Sequence, residues 1–201
     1  MWISNVGATN RTSSSRLTPP DASVPANPDL SGEMLNLVDQ VAPVQKNRLV
    51  DRMLKQQYFK QYFAQAYRAA PIVRIDMIKH GVPATLVVEL AAQLCISKEQ
   101  LCRTLGLARA TIDRKVREAS LLSPDETSRV LGLSRLVGRV QAIMDDAGSV
   151  TDFDAAVWAA TWLEQPLPAL GGQRPAEWMD TAEGQNIVFH LLDQIGSGAY
   201  A

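Results

Sequence analysis

From Gln45 to about Tyr67 the apolar positions Val50, Leu54, Tyr58 and Tyr62 recur every fourth residue. A second row, Phe59, Phe63 and Tyr67, runs beside them, and Lys46, Arg48, Arg52, Lys55 and Lys60 take polar positions. That spacing predicts one long helix with a broad aromatic stripe. Downstream, shorter periodic stretches separated by breakers predict helices over 72–79, 84–94, 97–105, 109–118, 124–145, 153–164, 175–180 and 182–195. Ser123-Pro124-Asp125-Glu126 has the signature of a capped helix start, with Pro at the first helical position and Glu three residues after the Ser. The helix it opens carries Val130, Leu133, Val137, Val140 and Met144 at alternating spacings of three and four, which makes a buried stripe. Asp180 or Thr181 can cap the last helix, whose apolar face is Val188, Leu191, Leu192 and Ile195. Sustained alternation of period two is absent, so the expected fold class is all-α.

The first 44 residues break this pattern. Thr12-Ser13-Ser14-Ser15 and Pro19, Pro20, Pro25 and Pro28 predict a disordered tail through residue 29. A short amphipathic piece from Met34 to Val41 follows it and ends near Pro43. The division that results is a tail over 1–44, a basic aromatic helix and linker over 45–79, a central helical domain over 80–145 and a C-terminal module over 146–201. A hydrophobic content of 46% is normal for a packed globule. No apolar run reaches the ~18 residues of a membrane span, and the N-terminus lacks a secretory pattern. Cys95 and Cys102 read as reduced core residues of a cytoplasmic protein.

Charge sharpens the division. The net charge of −1 hides +6 over 45–80 and +3 over 81–144 against −8 over 145–201, where Arg174 is the only base beside nine acids. A basic middle and an acidic end point to two kinds of partner, or to two faces that keep the chain soluble. Five of the chain's eight Tyr and Phe residues fall between Tyr58 and Tyr67. Tyr58, Phe59, Tyr62 and Phe63 either pack the core or offer a self-association surface.

Between Lys98 and Arg117 the pattern is that of a helix-turn-helix. Leu101 and Leu105 face inward from a first helix, and Cys102 is small enough for a second helix to approach. Gly106 stands where the chain reverses, Leu107 plugs the turn, and Ile112 and Val116 form the inner face of the second helix. Such a second helix enters the major groove of DNA. Arg109 and Thr111, near its start, are candidates for base edges; Arg114, Arg117 and Lys115 are candidates for phosphates. Asp113 places a negative charge on the same face. His80 and His190 have no acid or cysteine cluster at metal spacing, and Gly171-Gly172 lacks the context of a phosphate loop. No metal, cofactor or catalytic group is expected, so the chain reads as a binding protein rather than an enzyme.

The last fifty residues carry Trp162-Leu163, then Pro166, Ala169-Leu170-Gly171-Gly172, Pro175, Trp178, Thr181, Gly184, Val188, Leu191, Ile195 and Gly196. This succession resembles the toxin-binding domain of the Xre/MbcA/ParS antitoxins, and the helix-turn-helix with Leu122–Glu126 and Arg129 resembles the same family. The resemblance covers roughly residues 80–201. It implies an antitoxin that binds and blocks a RES-domain toxin, an enzyme that degrades NAD or uses it for ADP-ribosylation. It further implies that the helix-turn-helix represses the operon as a dimer or higher oligomer. Toxin contacts would then fall on Trp178, Gly184 and the terminal residues Gly198, Ala199, Tyr200 and Ala201, a small segment suited to a cleft. A stand-alone helix-turn-helix regulator with a C-terminal dimerisation domain is the alternative, and a structural adaptor whose helix-turn-helix no longer reads DNA is a third.

Overall fold

A computed structural model describes residues 48–148 and 153–196, which form eight α-helices and two short 3-10 turns, with no strand among the described residues. In chain order the helices are α1 Arg48–Arg68, α2 Pro71–His80, α3 Thr85–Gln93, α4 Lys98–Thr104, α5 Arg109–Arg117, α6 Pro124–Asp146, α7 Ala155–Leu163 and α8 Ala182–Gly196. The expected all-α class is the observed one; the expected helices downstream of the first lie within one or two residues of these bounds, and the expected start of the first, Gln45, lies outside the described residues. The segment 175–180 differs: it forms a 3-10 turn, Pro175–Trp178, preceded by another at Pro168–Leu170. The expected tail and the amphipathic piece from Met34 to Val41 lie outside the described residues.

Helix α6 is the axis of the fold, in contact with α1, α2, α7 and α8. Ser123 and Glu126 close a capping box at its start: Ser123 Oγ accepts from the Glu126 amide, and Glu126 Oε2 accepts from the Ser123 amide at 2.6 Å. Its apolar residues then run round most of the cylinder, from Val130, Leu131 and Leu133 to Leu136, Val137 and Val140, all buried. A helix buried on several faces needs partners on several faces, and this one has four.

The most extensive of those contacts is with α1. Phe59, Tyr62 and Phe63 are 4, 7 and 3% exposed and meet one another edge-on or tilted, with ring centroids 5.6–5.8 Å apart. Tyr62 Oη lies 3.2 Å from Ser134 Oγ, and burial pushes its phenol up to about 12. The rings are therefore core, and Phe59, Tyr62 and Phe63 are not available for self-association in this fold; Tyr58 alone of the four stays half-exposed at the edge. The approach is close because α6 offers Gly138 at the crossing, where a Cβ would stand 2.0 Å from the Phe63 carbonyl oxygen. Cys102 is buried as expected, but Cys95 is exposed, because it ends α3 in a left-handed turn with φ of 53°.

The Glu126 carboxylate also pairs with Lys115 of α5, both side chains being largely buried. Burial alone would raise the Glu126 pKa; the hydrogen bonds from Lys115 and Ser123 outweigh it and hold the group below its ordinary 4.5. A depressed carboxylate contributes stability above its unfolded value and loses it as pH falls through the folded one. Stability of the intact chain should therefore fall on acidification below about pH 4.5, and Glu126→Gln should both lower the neutral-pH melting temperature and flatten that acid limb. Parallel acid limbs in the two proteins would show that Glu126 does not carry the effect.

Candidate nucleic-acid interface and toxin-binding module

Helices α4 and α5 form the expected helix-turn-helix. Ser97 Oγ caps α4 by accepting from the Gln100 amide at 3.1 Å. Leu101, Leu105 and Ile112 are fully buried, and Leu107 plugs the turn at 6% exposure; Val116 is only half-buried. Gly106 reverses the chain at φ of 59°, in the region that favours glycine. Arg129 of α6 clamps this turn from below. Its Nη1 donates to the carbonyls of Leu105 and Gly106 at 2.9 and 2.7 Å, and its Nη2 pairs with Asp125. Two otherwise orphaned carbonyls at the end of α4 are thereby satisfied.

The second helix carries Arg109, Arg114 and Arg117 exposed and Thr111 half-buried. Lys115 is different from expectation: committed to Glu126 and 15% exposed, it is a structural cation rather than a phosphate contact. The exposed arginines have neighbours of opposite sign. Arg109 lies 2.7 Å from Glu99 of α4 and 3.7 Å from Asp113, Arg114 pairs with Glu118 at 3.0 Å, and Arg117 Nε donates to the Asp113 carbonyl at 3.3 Å. Asp113 is held by Lys98, whose hydrogen bond keeps its carboxyl below the usual range. Glu99 is lowered by a backbone hydrogen bond and by Arg109. The negative charge of Asp113 is thus spent on two cations.

The C-terminal module is built by α7, the two 3-10 turns and α8. Asp154 caps α7 by accepting from the amides of Ala156 and Val157, and Thr181 Oγ1 accepts from the Gly184 amide at the start of α8. Gly184 is buried, and a Cβ there would stand 2.0 Å from the Trp178 carbonyl oxygen, so its role in the fold is to seat α8 on the turn that carries Trp178. Trp178 itself is half-buried. Gly198, Ala199, Tyr200 and Ala201 lie outside the described residues.

The module is joined to the helix-turn-helix and to α6 by polar contacts. Gln185 Nε2 donates to the carbonyls of Arg129 and Met179, its side chain filling the space over Gly132, where a Cβ would meet Gln185 Oε1. Glu164 accepts from Gln100 of α4 and from Arg174, which also donates to Glu177. Asp180 Cβ lies against Gly106. Glu164, Glu177 and Asp180 line a cleft between α4 and the module together with Arg103 and Arg174, so its charges are largely paired. On the outer surface Trp158 is 37% exposed and stacks on buried Trp162 with rings 5.9 Å apart and 10° from parallel; Ile187 and Ile195 are 37 and 39% exposed. Ile195 lies on the expected apolar face of the last helix yet stays exposed, and for Trp158 the available signal is that two tryptophans four residues apart on a helix share a face. Among the described residues no His, Cys, Asp and Glu group could hold a metal, and no helix is long and apolar enough to cross a membrane.

Two family profiles match the chain. Residues 73–135 match the profile of the antitoxin Xre-like helix-turn-helix domain, and residues 151–198 match that of the antitoxin Xre/MbcA/ParS C-terminal toxin-binding domain. A protein of Sphingobium sp. (strain YBL2) described as a "Prs ADP-ribosylating antitoxin" is 42% identical over 135 residues, which is 67% of this chain and 85% of the relative. An "Antitoxin Xre" of Photorhabdus laumondii subsp. laumondii is 25% identical over 122 residues, 61% of this chain and 77% of the relative. With its helix-turn-helix clamped by α6 and its C-terminal module matched in turn, the chain belongs to the Xre/MbcA/ParS antitoxin family.

Proposed function

We propose that the protein neutralises a cognate RES-type toxin by seating its C-terminal module over the toxin's NAD site, and that its helix-turn-helix binds operator DNA as a dimer or higher oligomer to restrain its own operon. The observation that carries this reading is that the toxin-binding profile, residues 151–198, falls within the acidic segment 145–201, whose net charge is −8. A cleft that holds a dinucleotide phosphate is lined by cations, and an acidic surface complements it. The exposed Trp158, Ile187 and Ile195 supply the apolar contacts that charge complementarity lacks. The terminal segment 197–201 follows α8 directly and is assigned to the entrance of the toxin site. The Sphingobium relative's description favours ADP-ribosyl transfer over NAD hydrolysis as the toxin's chemistry. Arg109 and Thr111 face base edges, and Arg114 and Arg117 face phosphates.

Co-expression with a RES-type toxin tests the neutralisation half, and binding to operon DNA tests the other. The intact chain should restore growth, and the chain lacking residues 197–201 should not. Equal protection by the truncated chain would remove the terminal segment from the mechanism, and no protection by the intact chain would overturn the neutralisation reading. The double variant Arg114→Glu, Arg117→Glu should keep protection and lose at least about ten-fold in affinity for the upstream DNA of the operon. Unchanged DNA affinity would take those two arginines off the phosphate backbone.

A further inference from the structure

We infer that Arg109 is a guanine reader held in place by carboxylates, with Glu99 and Asp113 as its positioning residues. The inference rests on the DNA-binding half of the proposed function and names what that surface recognises. Arg109 occupies the first position of α5, the end of a recognition helix that contacts base edges. Its side chain is 58% exposed, so the guanidinium is not consumed by the fold. Two acids converge on it from different elements: Glu99 from α4, 2.7 Å from Nη2, and Asp113 one turn along α5, 3.7 Å from Nε.

A long arginine side chain loses rotamer freedom when it binds. Fixing it beforehand lowers that cost; Glu99 engages Nη2 and Asp113 lies toward Nε, which leaves Nη1 and the second Nη2 hydrogen for a bidentate acceptor. Guanine presents such an acceptor in the major groove, O6 and N7 side by side. Adenine offers a donor where guanine has O6, and the carboxylates beside the guanidinium repel a phosphate, so the same geometry disfavours both alternatives. Asp113 is itself pinned by Lys98, so the support is a chain, Lys98 to Asp113 to Arg109 to Glu99, spanning both helices of the helix-turn-helix. Arg114 and Arg117 lack such a frame: Arg114 has a single partner one turn away, and Arg117 bonds a backbone carbonyl.

The test is selection from a random-sequence duplex DNA library with the full-length chain and its Arg109→Ala, Asp113→Asn and Glu99→Gln variants, followed by binding measurements over a range of salt. The wild type should enrich sites with a fixed G·C pair in each half-site. Arg109→Ala should lose the preference at that pair alone, with a fall of roughly 5- to 150-fold on the selected site. Asp113→Asn and Glu99→Gln should blur the same pair by roughly two- to five-fold while the salt dependence stays that of the wild type. If Arg109→Ala keeps the wild-type motif, or weakens all sequences equally with a shallower salt dependence, Arg109 is not the reader and the inference falls while DNA binding stands. If the intact chain enriches no sequence, the DNA-binding reading itself falls and takes the inference with it.

Discussion

Gly138→Leu is expected to cost about 3 kcal/mol or more, which is enough to unfold a marginally stable chain. The reason is the crossing of α1 over α6. A Cβ at residue 138 would stand 2.0 Å from the Phe63 carbonyl oxygen and 2.8 Å from Tyr67 Cβ. The obstacle at the first of these is backbone, so no rotamer change relieves it, and α1 must move off α6. With it would go Phe59, Tyr62 and Phe63, the largest cluster of rings in the core. Thermal and denaturant unfolding followed by circular dichroism will read the change. Leu54→Ser, on the same helix at 63% exposure, should stay within about 0.5 kcal/mol of wild type. A wild-type melting temperature for Gly138→Leu would mean that α1 contributes nothing to the stability of the folded chain.

The second large effect is expected from Arg129→Ala, at about 2 to 4 kcal/mol. The arginine is 15% exposed and donates to two carbonyls that have no other partner at the end of α4. Its removal leaves the carbonyl of buried Leu105 without a donor and the Gly106 carbonyl to solvent, in a turn that Asp180 of the toxin-binding module also covers. Arg129→Lys should recover only part of the loss, because a single ammonium cannot meet the two carbonyls and pair with Asp125 at once, as Nη1 and Nη2 of the guanidinium do. Hydrogen exchange will distinguish a local from a global effect: amides from Leu105 to Ile112 should lose protection first. Unchanged protection there, with unchanged stability, would show that the turn holds without its clamp.

Both effects arise where the sequence is least explicit. The helices themselves were legible because each carries apolar residues at helical spacing and the breakers between them are strong. The turn of the helix-turn-helix was legible for the same local reasons: Gly106 reverses the chain, Leu107 is buried behind it, and Ile112 faces in. The partner of the aromatic stripe was not legible, since the stripe fits a second copy as well as an α6 whose Gly138 admits it. Lys115 looked free beside Arg114 because Glu126 reaches it only when the start of α6 folds back on α5. Asp113 looked repulsive until Lys98 and Arg109 were placed beside it. Charge pairing between elements is a property of the tertiary structure, and a one-dimensional count of acids and bases averages it away. Cys95 shows the converse: its neighbours are apolar, but the turn that ends α3 points it outward.

Gln185 over Gly132 bears on how new toxin specificities can be engineered into this scaffold. The side chain of α8 occupies the volume a Cβ at residue 132 would need, and its amide bonds the Arg129 carbonyl, so the underside of the module is a cast of α6. A chimera spliced after Asp146, with a foreign module placed on this α6, would join surfaces that were never moulded to each other. The exchangeable piece is larger than the C-terminal module alone. It includes the stretch of α6 from Arg129 to Gly132, and a graft that carries those residues along should express as a soluble protein where the shorter one aggregates.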